Sequence, residues 1–574
     1  MRICRDVAVA LASVSLLLGM TACKKSETTG GAQVQQAVEA SWDKSSPNAL
    51  YAYVPEDSMA VMASTRQIDY KDEKIQNVVA FSLKFMQESI AEQENILKVE
   101  TPDSPRYLEA KAILDSYKPL VVMYSDMSKA MGELGLNAEG HFDAIFYMNG
   151  KTPVYKISVE DGEKFVSKFL SLLAPAYSAT GKTMPTMQVI DVGGQKWQTF
   201  SIRDVLEGNS EFGCLLCENE KTLLPTLVAF HVEKAMVTAV IIDEGATATL
   251  PEYLKPVAKP MNPSVLGDVT ASKLGVFMAD LKAINDSVWS SILSRAGETE
   301  KAGVEVCANE FKSLAELFPK VLGYGGLDAH GKFVTSATVS LQDDASLKRL
   351  NAMTVAHSSI ASSAKLAGLG LNVRLPEAMA LVNELKRQVA VKNYQCEYLQ
   401  DVDDVLEAAS ELFPADIVDL VNKVSSIQVA LNDLDMANGR FDVVMGVGGS
   451  ELSVSLPSLL SMGAILAGPE ILALNTPKDV VTNVDLSSIF GDKVQFAGLM
   501  TDSLYVIATA NNDLKRIASL PQTTDGALFE FHIDTAIAPL LEETLSSLPN
   551  MHYGLSIGVN AEGIALTGYT EFKK

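Results

Sequence analysis

Alternation of apolar and polar residues recurs along the chain and predicts half-buried β-strands, as in HFDAIFYM (141–148) and KFVTSATVSL (332–341). A short turn recurs beside such segments, as LNAEGHF (136–142), LDAHGKF (327–333), LDMANGRF (434–441) and VNAEGIA (559–565). In the first, second and fourth copies, Asn or Asp stands three residues before Gly, which is typical of a turn that closes a β-hairpin. The third copy is one residue longer, and YMNGKT (147–152) adds an Asn-Gly turn, a strong hairpin signal. The pattern predicts antiparallel sheets built from repeated hairpins.

Amphipathic helices are predicted between these strands. Strands pass into helices at ISVEDGEKFVSKFL, VIIDEGATATLPEYL, VSLQDDASLKRL and IATANNDLKRIASL, each with Asp or Asn near the junction to cap the helix. Ser104 and Pro105 are expected to open another helix. Two helical stripes are expected to face the core: Tyr107, Ala110, Leu114 and Tyr117, and Val402, Val405, Ala409 and Leu412. Together with the strands, these helices predict an α+β fold.

The repeated elements indicate two diverged lobes of similar plan. A strand running into MASTRQI, MADLKAI or NVDLSSI is a third recurring element, and the irregular spacing between copies excludes a solenoid. We predict a first α+β lobe over 50–350 and a second over 351–574. The last strand should complete the sheet of the second lobe, with Ile564, Leu566 and Phe572 on one face, which is expected to be buried.

The N-terminus predicts export. Arg2 and Arg5 precede an apolar stretch over 7–18 that is too short to span a bilayer. The sequence Met20-Thr21-Ala22-Cys23 resembles the lipobox of bacterial lipoprotein precursors; an ordinary signal peptide with an incidental cysteine is the alternative.

The lipoprotein resemblance implies cleavage before Cys23, diacylation of its thiol and acylation of the new amino group. Residues 1–22 would be the signal peptide, and the polar residues 23–49 a flexible tether. In that family Asp after the cysteine favours retention in the inner membrane. Lys24 therefore implies attachment to the periplasmic face of the outer membrane.

The strongly acidic composition limits the classes of partner that the protein is expected to bind. The chain has 574 residues, of which 47% are apolar, and a formal charge of −24. Removing Arg2, Arg5 and Asp6 with the signal peptide changes this charge to −25. So acidic a protein is not expected to bind nucleic acid or to adhere broadly to anionic lipid.

Four cysteines remain after processing: Cys214, Cys217, Cys307 and Cys396. The oxidising compartment favours pairing, and four cysteines allow three connectivities. Proximity favours Cys214–Cys217, which leaves Cys307–Cys396. The alternative interpretation of CLLC, a redox pair, needs a following helix, whereas the next residues predict a turn and strand.

No catalytic motif fits its predicted context. GLSIG (554–558) lies in a predicted strand with no histidine after it, and SSAK (362–365) has no partner motif. Both GKT sequences lack the upstream glycine of a phosphate loop. The histidines show no H-E-x-x-H motif and fit surface or core positions, so we expect no acid–base pair, no metal site, no cofactor and no enzyme. The histidines are scattered, at 141, 231, 330, 357, 532 and 552.

The body of the chain resembles uncharacterised bacterial envelope proteins that open with a strand like YVPEDSMAVMAS, a resemblance that implies no activity. The leading hypothesis is a non-catalytic interaction or structural lipoprotein. A carrier or receptor for an apolar ligand between the lobes, and an enzyme of unrecognised type, are the alternatives. The most apolar internal stretch, 458–468, is too short to cross a bilayer and is predicted to be a buried helix.

Replacing the lipobox cysteine tests the anchor. Cys23→Ser removes the thiol that would be acylated, so the protein should leave the membrane fraction or accumulate as uncleaved precursor. Membrane fractionation with mass measurement of the N-terminal peptide checks this. Membrane-bound, correctly processed Cys23→Ser protein would contradict the lipobox interpretation.

Overall fold

The fold was analysed in a computed structural model of the chain. The structure describes residues 49–64, 73–102, 104–137, 143–179, 184–203, 217–218, 221–222, 226–266, 273–294, 301–327, 332–392, 394–396, 399, 422–435, 440–467, 469–487, 494–510, 512–520, 522–537 and 551–572. The predicted signal peptide, lipobox and tether therefore lie outside the described residues, apart from residue 49, as does the predicted stripe from Val402 to Leu412.

The chain divides into two compact units, each an antiparallel sheet with helices, which confirms the predicted α+β class. The first unit takes its described residues from Met1–Val304 and Lys320–Gly331, and the second takes them from Glu305–Pro319 and Lys332–Lys574.

The sheet of the first unit has the strand order β4-β5-β8-β9-β3-β2-β1-β10-β11, and every neighbouring pair is antiparallel. A separate short hairpin pairs β6 with β7. The strands are β1 (Ala60–Ser64), β2 (Ala144–Asn149), β3 (Thr152–Ser158), β4 (Gln188–Val192), β5 (Gln195–Ser201), β6 (Cys217–Glu218), β7 (Lys221–Thr222), β8 (Leu227–Val232), β9 (Met236–Ile242), β10 (Lys273–Asp280) and β11 (Lys320–Leu327).

The sheet of the second unit has the order β12-β23-β22-β21-β14-β15-β16-β19-β18-β17, again antiparallel throughout. The short strands β13 and β20 pair with each other. The strands are β12 (Phe333–Ser340), β13 (His357–Ser358), β14 (Ala367–Asn372), β15 (Val424–Asp435), β16 (Arg440–Gly449), β17 (Thr482–Val484), β18 (Phe496–Met500), β19 (Leu504–Thr509), β20 (Gln522–Thr523), β21 (Ala527–Asp534), β22 (Met551–Val559) and β23 (Gly563–Phe572).

Helices begin where the sequence places their caps. Ser104 accepts a hydrogen bond from Tyr107 N, and Asp161, Asp280, Asp343 and Asp513 cap the helices that follow them in the same way. The α-helices are α1 (Glu73–Val99), α2 (Pro105–Tyr124), α3 (Met127–Glu133), α4 (Gly162–Ala179), α5 (Leu281–Leu293), α6 (Lys301–Leu317), α7 (Asp344–Met353), α8 (Leu375–Lys392), α9 (Leu452–Ala467) and α10 (Leu514–Ala518). Short 3₁₀ segments are Ala49–Tyr53, Glu244–Leu254, Pro263–Leu266, Ala361–Ser363, Pro469–Leu474 and Thr535–Ile537.

The two sheets share a plan. Read from one edge, β11-β10-β1-β2-β3-β9-β8 of the first unit correspond to β22-β21-β14-β15-β16-β19-β18 of the second. A helix follows the matching strands β3 and β16 in each unit. The structure therefore supports the duplication that the repeated sequence elements indicated.

Two of the predicted hairpin turns are fully described. Gly150, with φ +58°, lies in the turn between β2 and β3. Asn560 Oδ1 accepts hydrogen bonds from Glu562 N and Gly563 N between β22 and β23. Both turns form as predicted.

The hairpin predicted at LNAEGHF is wrong, because a helix precedes it rather than a strand. Helix α3 ends at Glu133, and Gly135 follows with φ +71°. Leu136 N donates to Met131 O, which closes the helix in the manner typical of a left-handed glycine.

The apolar stretch 458–468 belongs largely to helix α9, which runs from Leu452 through Pro457 to Ala467. Leu452, Leu456 and Leu460 follow one face at intervals of four residues and are buried, as predicted. Among the described helices, the longest apolar windows fall short of what a bilayer crossing requires. The last strand, β23, pairs with both β22 and β12, so it completes the sheet as expected.

A lysine lies in the core of the first unit. Lys156 on β3 is fully buried, and its Nζ donates to Thr238 Oγ1 at 3.0 Å. The same Nζ lies 4.2 Å from the centroid of the Tyr53 ring, a cation–π contact. Burial lowers the pKa of Lys156 from 10.5 to about 7, against an opposing effect of the Glu233 carboxylate. The folded state therefore binds fewer protons than the unfolded state between about pH 7 and 10.5.

Because of this proton difference, the stability of the first unit should rise with pH above about 7. Against a Lys156→Met variant at each pH, the wild type should gain about 2–3 kcal/mol of unfolding free energy between pH 7 and 9. Urea unfolding followed by tryptophan fluorescence checks this, since the two described tryptophans, Trp197 and Trp289, lie in the first unit. Equal pH slopes for the two proteins would contradict a depressed lysine pKa.

Candidate functional site

One face of the second sheet is apolar; it is buried over β16, β19 and β18 but partly open to solvent from β15 to β23. Opposed residues of neighbouring strands lie on the same side of a sheet, so the register defines a row that crosses six strands. The row is Ile427, Leu371, Phe529, Ile557, Leu566 and Ala337, on β15, β14, β21, β22, β23 and β12. We call the larger side chains of this row and of the flanking rows the apolar sheet face: Ile427, Val429, Leu369, Leu371, Phe529, Phe531, Ile533, Tyr553, Leu555, Ile557 and Leu566.

The side chains of this face are unusually exposed for their type. Leu369 is 48% exposed, Ile427 50% and Leu566 44%. Leu371 and Ile557 are 41% and 37% exposed. Six strands at about 4.8 Å spacing make the face about 24 Å wide. An exposed apolar area of this extent is typical of an interaction surface.

The opposite face of the same strands is polar and buried. Gln428, Asn372 and Asp534 are each no more than 1% exposed, and Glu530 and His532 are 6% and 7% exposed. The usual arrangement of an antiparallel sheet, apolar inside and polar outside, is thus reversed across β15, β14 and β21.

Residues 357–364 cover this polar face, and glycines make room for them. A Cβ on Gly368 would lie 2.1 Å from Ala361 O, and one on Gly446 would lie 2.4 Å from Ile360 Cδ1. Such distances are not compatible with a side chain unless the covering segment moves. The sequence GLG at 368–370 therefore lets backbone lie directly on the sheet.

Gln428 fixes the covering segment by hydrogen bonds. Its Oε1 accepts from Ser358 Oγ at 3.1 Å and from Ala361 N at 3.2 Å. Because Oε1 must face these donors, Nε2 faces the other way, where it donates to Asn372 Oδ1 at 3.0 Å. Nε2 also lies 3.1 Å from His357 Nδ1. A single buried amide thus joins β14, β15 and the segment above them.

His357, Asp525 and Glu530 form a cluster beside this amide, which we call the His357 cluster. His357 Nε2 lies 3.2 Å from Asp525 Oδ1 and 3.9 Å from Glu530 Oε1. The side chains of His357 and Glu530 are only 1% and 8% exposed, whereas that of Asp525 is 55% exposed and opens the cluster to solvent. His357 Nδ1 lies 3.1 Å from Ser358 O.

The carboxyl group of Glu530 is poorly compensated. Burial raises the pKa of Glu530, the facing His357 opposes this effect, and the charge of Asp525 adds to it. Glu530 Oε2 is buried and has no hydrogen-bond partner among the described residues. A buried oxygen without a partner costs about 1–3 kcal/mol, so the site favours a cation or donor beside this group.

A second set of polar side chains continues along the same face. His532 Nδ1 lies 2.9 Å from Tyr569 OH, and Lys332 Nζ lies 4.6 Å from the centroid of the Tyr569 ring. Burial, followed by His552 and Lys332, lowers the pKa of His532 to about 4. His532 is therefore neutral near pH 7, and its contacts are those of a core histidine.

The structure places the sequence-predicted cysteines as follows. Cys307 and Cys396 form a disulfide in the second unit, which is the second pairing expected from the sequence. Cys217 lies in β6, while Cys214 and Cys23 lie outside the described residues.

Of the three remaining histidines, one lies among the described residues and two lie outside them. His231 is buried in the first unit, with Nδ1 2.9 Å from Lys196 O. His141 and His330 lie outside the described residues.

His357 lies beside two carboxylates, a contact that the sequence did not indicate. The three members of the His357 cluster are separated by up to 173 positions, from 357 to 530, so no local spacing could reveal them. The available sequence signal was Glu530 on the polar side of the alternating strand ALFEFHID. No family model, curated protein or solved structure matches this chain.

Proposed function

We propose that this chain is a lipid-anchored lipoprotein of the cell envelope that acts as a non-catalytic interaction protein. Its apolar sheet face docks a protein partner. Cys23 carries the lipid, and the protein faces the periplasm from the outer membrane. A flexible coil of the length of residues 23–49 has a root-mean-square span of about 30 Å, which would let the folded units reach a partner away from the lipid surface.

The observation that carries the proposal is the reversed sheet of the second unit. Full burial of a Leu or Ile side chain contributes about 1.5–3 kcal/mol relative to full exposure. Leu369, Leu371 and Ile427 are each 41–50% exposed, so much of the free energy of burying them is not gained in the isolated chain. Covering the apolar sheet face would supply it, so binding a partner is favoured by the same effect that stabilises a core.

The exposure of the face favours a protein over a small ligand. Small-molecule sites are concave and enclose most of their ligand, whereas the apolar side chains here are about half open to water. The net charge of −24 disfavours a second copy of the chain and an anionic membrane. It favours a partner whose apolar patch lies within basic surroundings.

A carrier for an apolar ligand is the second candidate, since the aromatic side chains of Phe529, Phe531 and Tyr553 on this face could also pack against acyl chains. The proposal includes no catalytic step. The His357 cluster lies on the opposite, covered face of the sheet.

Site-specific photocrosslinking in intact cells tests the docking face. A photoreactive phenylalanine at Ile557 should form an adduct with one discrete protein, because Ile557 lies within the apolar sheet face. The same residue at Val454 on helix α9, which is 75% exposed, is the matched control and should not form that adduct. Mass spectrometry identifies the partner, which should carry a basic surface.

Binding to the purified partner then completes the test. Leu371→Glu should lower the affinity at least tenfold, since it places a charge in the contact, while Val454→Glu should leave the affinity unchanged. Affinity should also fall as salt is raised. Adducts with lipid alone would favour the carrier, and equal protein adducts at both positions would contradict a specific docking face.

A further inference from the structure

We propose that His357, Asp525 and Glu530 bind one divalent zinc ion in the second unit. The site is independent of the apolar sheet face, because it lies on the other side of the sheet. It requires no other chain, and its ligands come from β13, from the turn before β21 and from β21 itself.

The separations between the three ligand atoms fit a tetrahedral ion. Zinc binds imidazole nitrogen and carboxylate oxygen at about 2.0–2.2 Å, which places tetrahedral ligand atoms about 3.3–3.6 Å apart. His357 Nε2 lies 3.2 Å from Asp525 Oδ1 and 3.9 Å from Glu530 Oε1. All three ligand atoms lie within 4.8 Å of one another. Small side-chain rotations would bring them to coordination distance.

The surroundings of His357 also fit a metal ligand. Ligating histidines usually donate their second ring N–H to a carbonyl or carboxylate. His357 Nδ1 lies 3.1 Å from Ser358 O, and a proton donated there leaves the lone pair on Nε2, towards the carboxylates. Gln428 Nε2 lies 3.1 Å from the same nitrogen, so in this tautomer it contacts the ring and keeps its hydrogen bond to Asn372 Oδ1. Both elements that position the ring are themselves buried.

The burial of the Glu530 carboxylate also favours a cation at this site. The side chain is 8% exposed, Oε1 faces His357 Nε2, and Oε2 has no hydrogen-bond partner among the described residues. Two carboxylates on one histidine also carry excess negative charge, which a divalent ion would neutralise. Buried charges in proteins are normally paired or coordinate a metal.

The donor set selects the class of ion. Calcium and magnesium prefer oxygen ligands alone, whereas one imidazole with two carboxylates suits zinc. Three protein ligands leave a fourth position, on the side where exposed Asp525 meets solvent. Water would take that position.

Zinc titration of the full chain in detergent tests the proposal. Calorimetry or competition with a fluorescent chelator should show one Zn²⁺ per chain, and the bound ion should raise the Tm. Asp525→Asn should weaken binding at least tenfold, and because this side chain is exposed and the change is isosteric, the variant should fold as the wild type does. Glu530→Gln should weaken binding similarly, with the Tm of the metal-free variant as its folding control.

Asp344→Asn, an exposed carboxylate in the first turn of helix α7, is the matched control and should bind zinc as the wild type does. X-ray absorption of the zinc-loaded wild type should show a shell of nitrogen and oxygen with one imidazole. Failure to bind one equivalent, or equal affinity in wild type, Asp525→Asn and Glu530→Gln, would overturn the site.

Discussion

The packing of residues 357–364 on the sheet of the second unit depends on the side-chain amide of Gln428. The polar face of β14 carries Gly368 and Gly370, so it cannot form a core of interlocking side chains, and the backbone of residues 357–364 lies on it instead. Backbone N–H groups in such a position must be paired. Gln428 Oε1 pairs Ala361 N and Ser358 Oγ, and this contact sets the height and position of the covering segment. His357 is held in place by the same contact.

The exposed apolar face follows from this arrangement. Side chains alternate between the two faces of a strand, so strands whose buried face is polar or glycine carry their apolar residues on the other. The first unit also exposes apolar side chains on its corresponding strands, although its buried face there is apolar, with Val61, Ile145 and Val154 in the core. Met62 on β1 and Tyr155 on β3 share a row with Phe146 and are 50% and 43% exposed. The open apolar row is therefore a property of the shared plan.

The sequence predicted the local elements well because their causes are local. Asp343 and Asp513 cap the helices that follow them, and Asn560 and Gly563 close the last hairpin. The alternation also correctly placed Leu566 on the same face of β23 as Ile564 and Phe572. It could not tell which face is covered, and Leu566, expected to be buried, is 44% exposed. Period two distinguishes the faces of a strand, but only tertiary packing decides which one is inside.

The His357 cluster lay beyond sequence reasoning for a different reason. His357 and Asp525 meet because β13 pairs with β20, a contact of two residues across more than 160 positions. No periodic or motif signal marks so short a pairing. Glu530 was visible only as a polar residue within ALFEFHID, which surface exposure would explain equally well.

The central claim is that the second unit keeps its polar face buried and offers its apolar face to a partner. Hydroxyl-radical footprinting of the protein, in isolated envelopes and after purification, tests it most directly. Leu371, Ile557 and Leu566 should be oxidised readily in the purified protein and protected in envelopes, while exposed Val454 reacts equally in both. Protection of the three residues in the purified protein, or equal oxidation in both samples, would contradict the account.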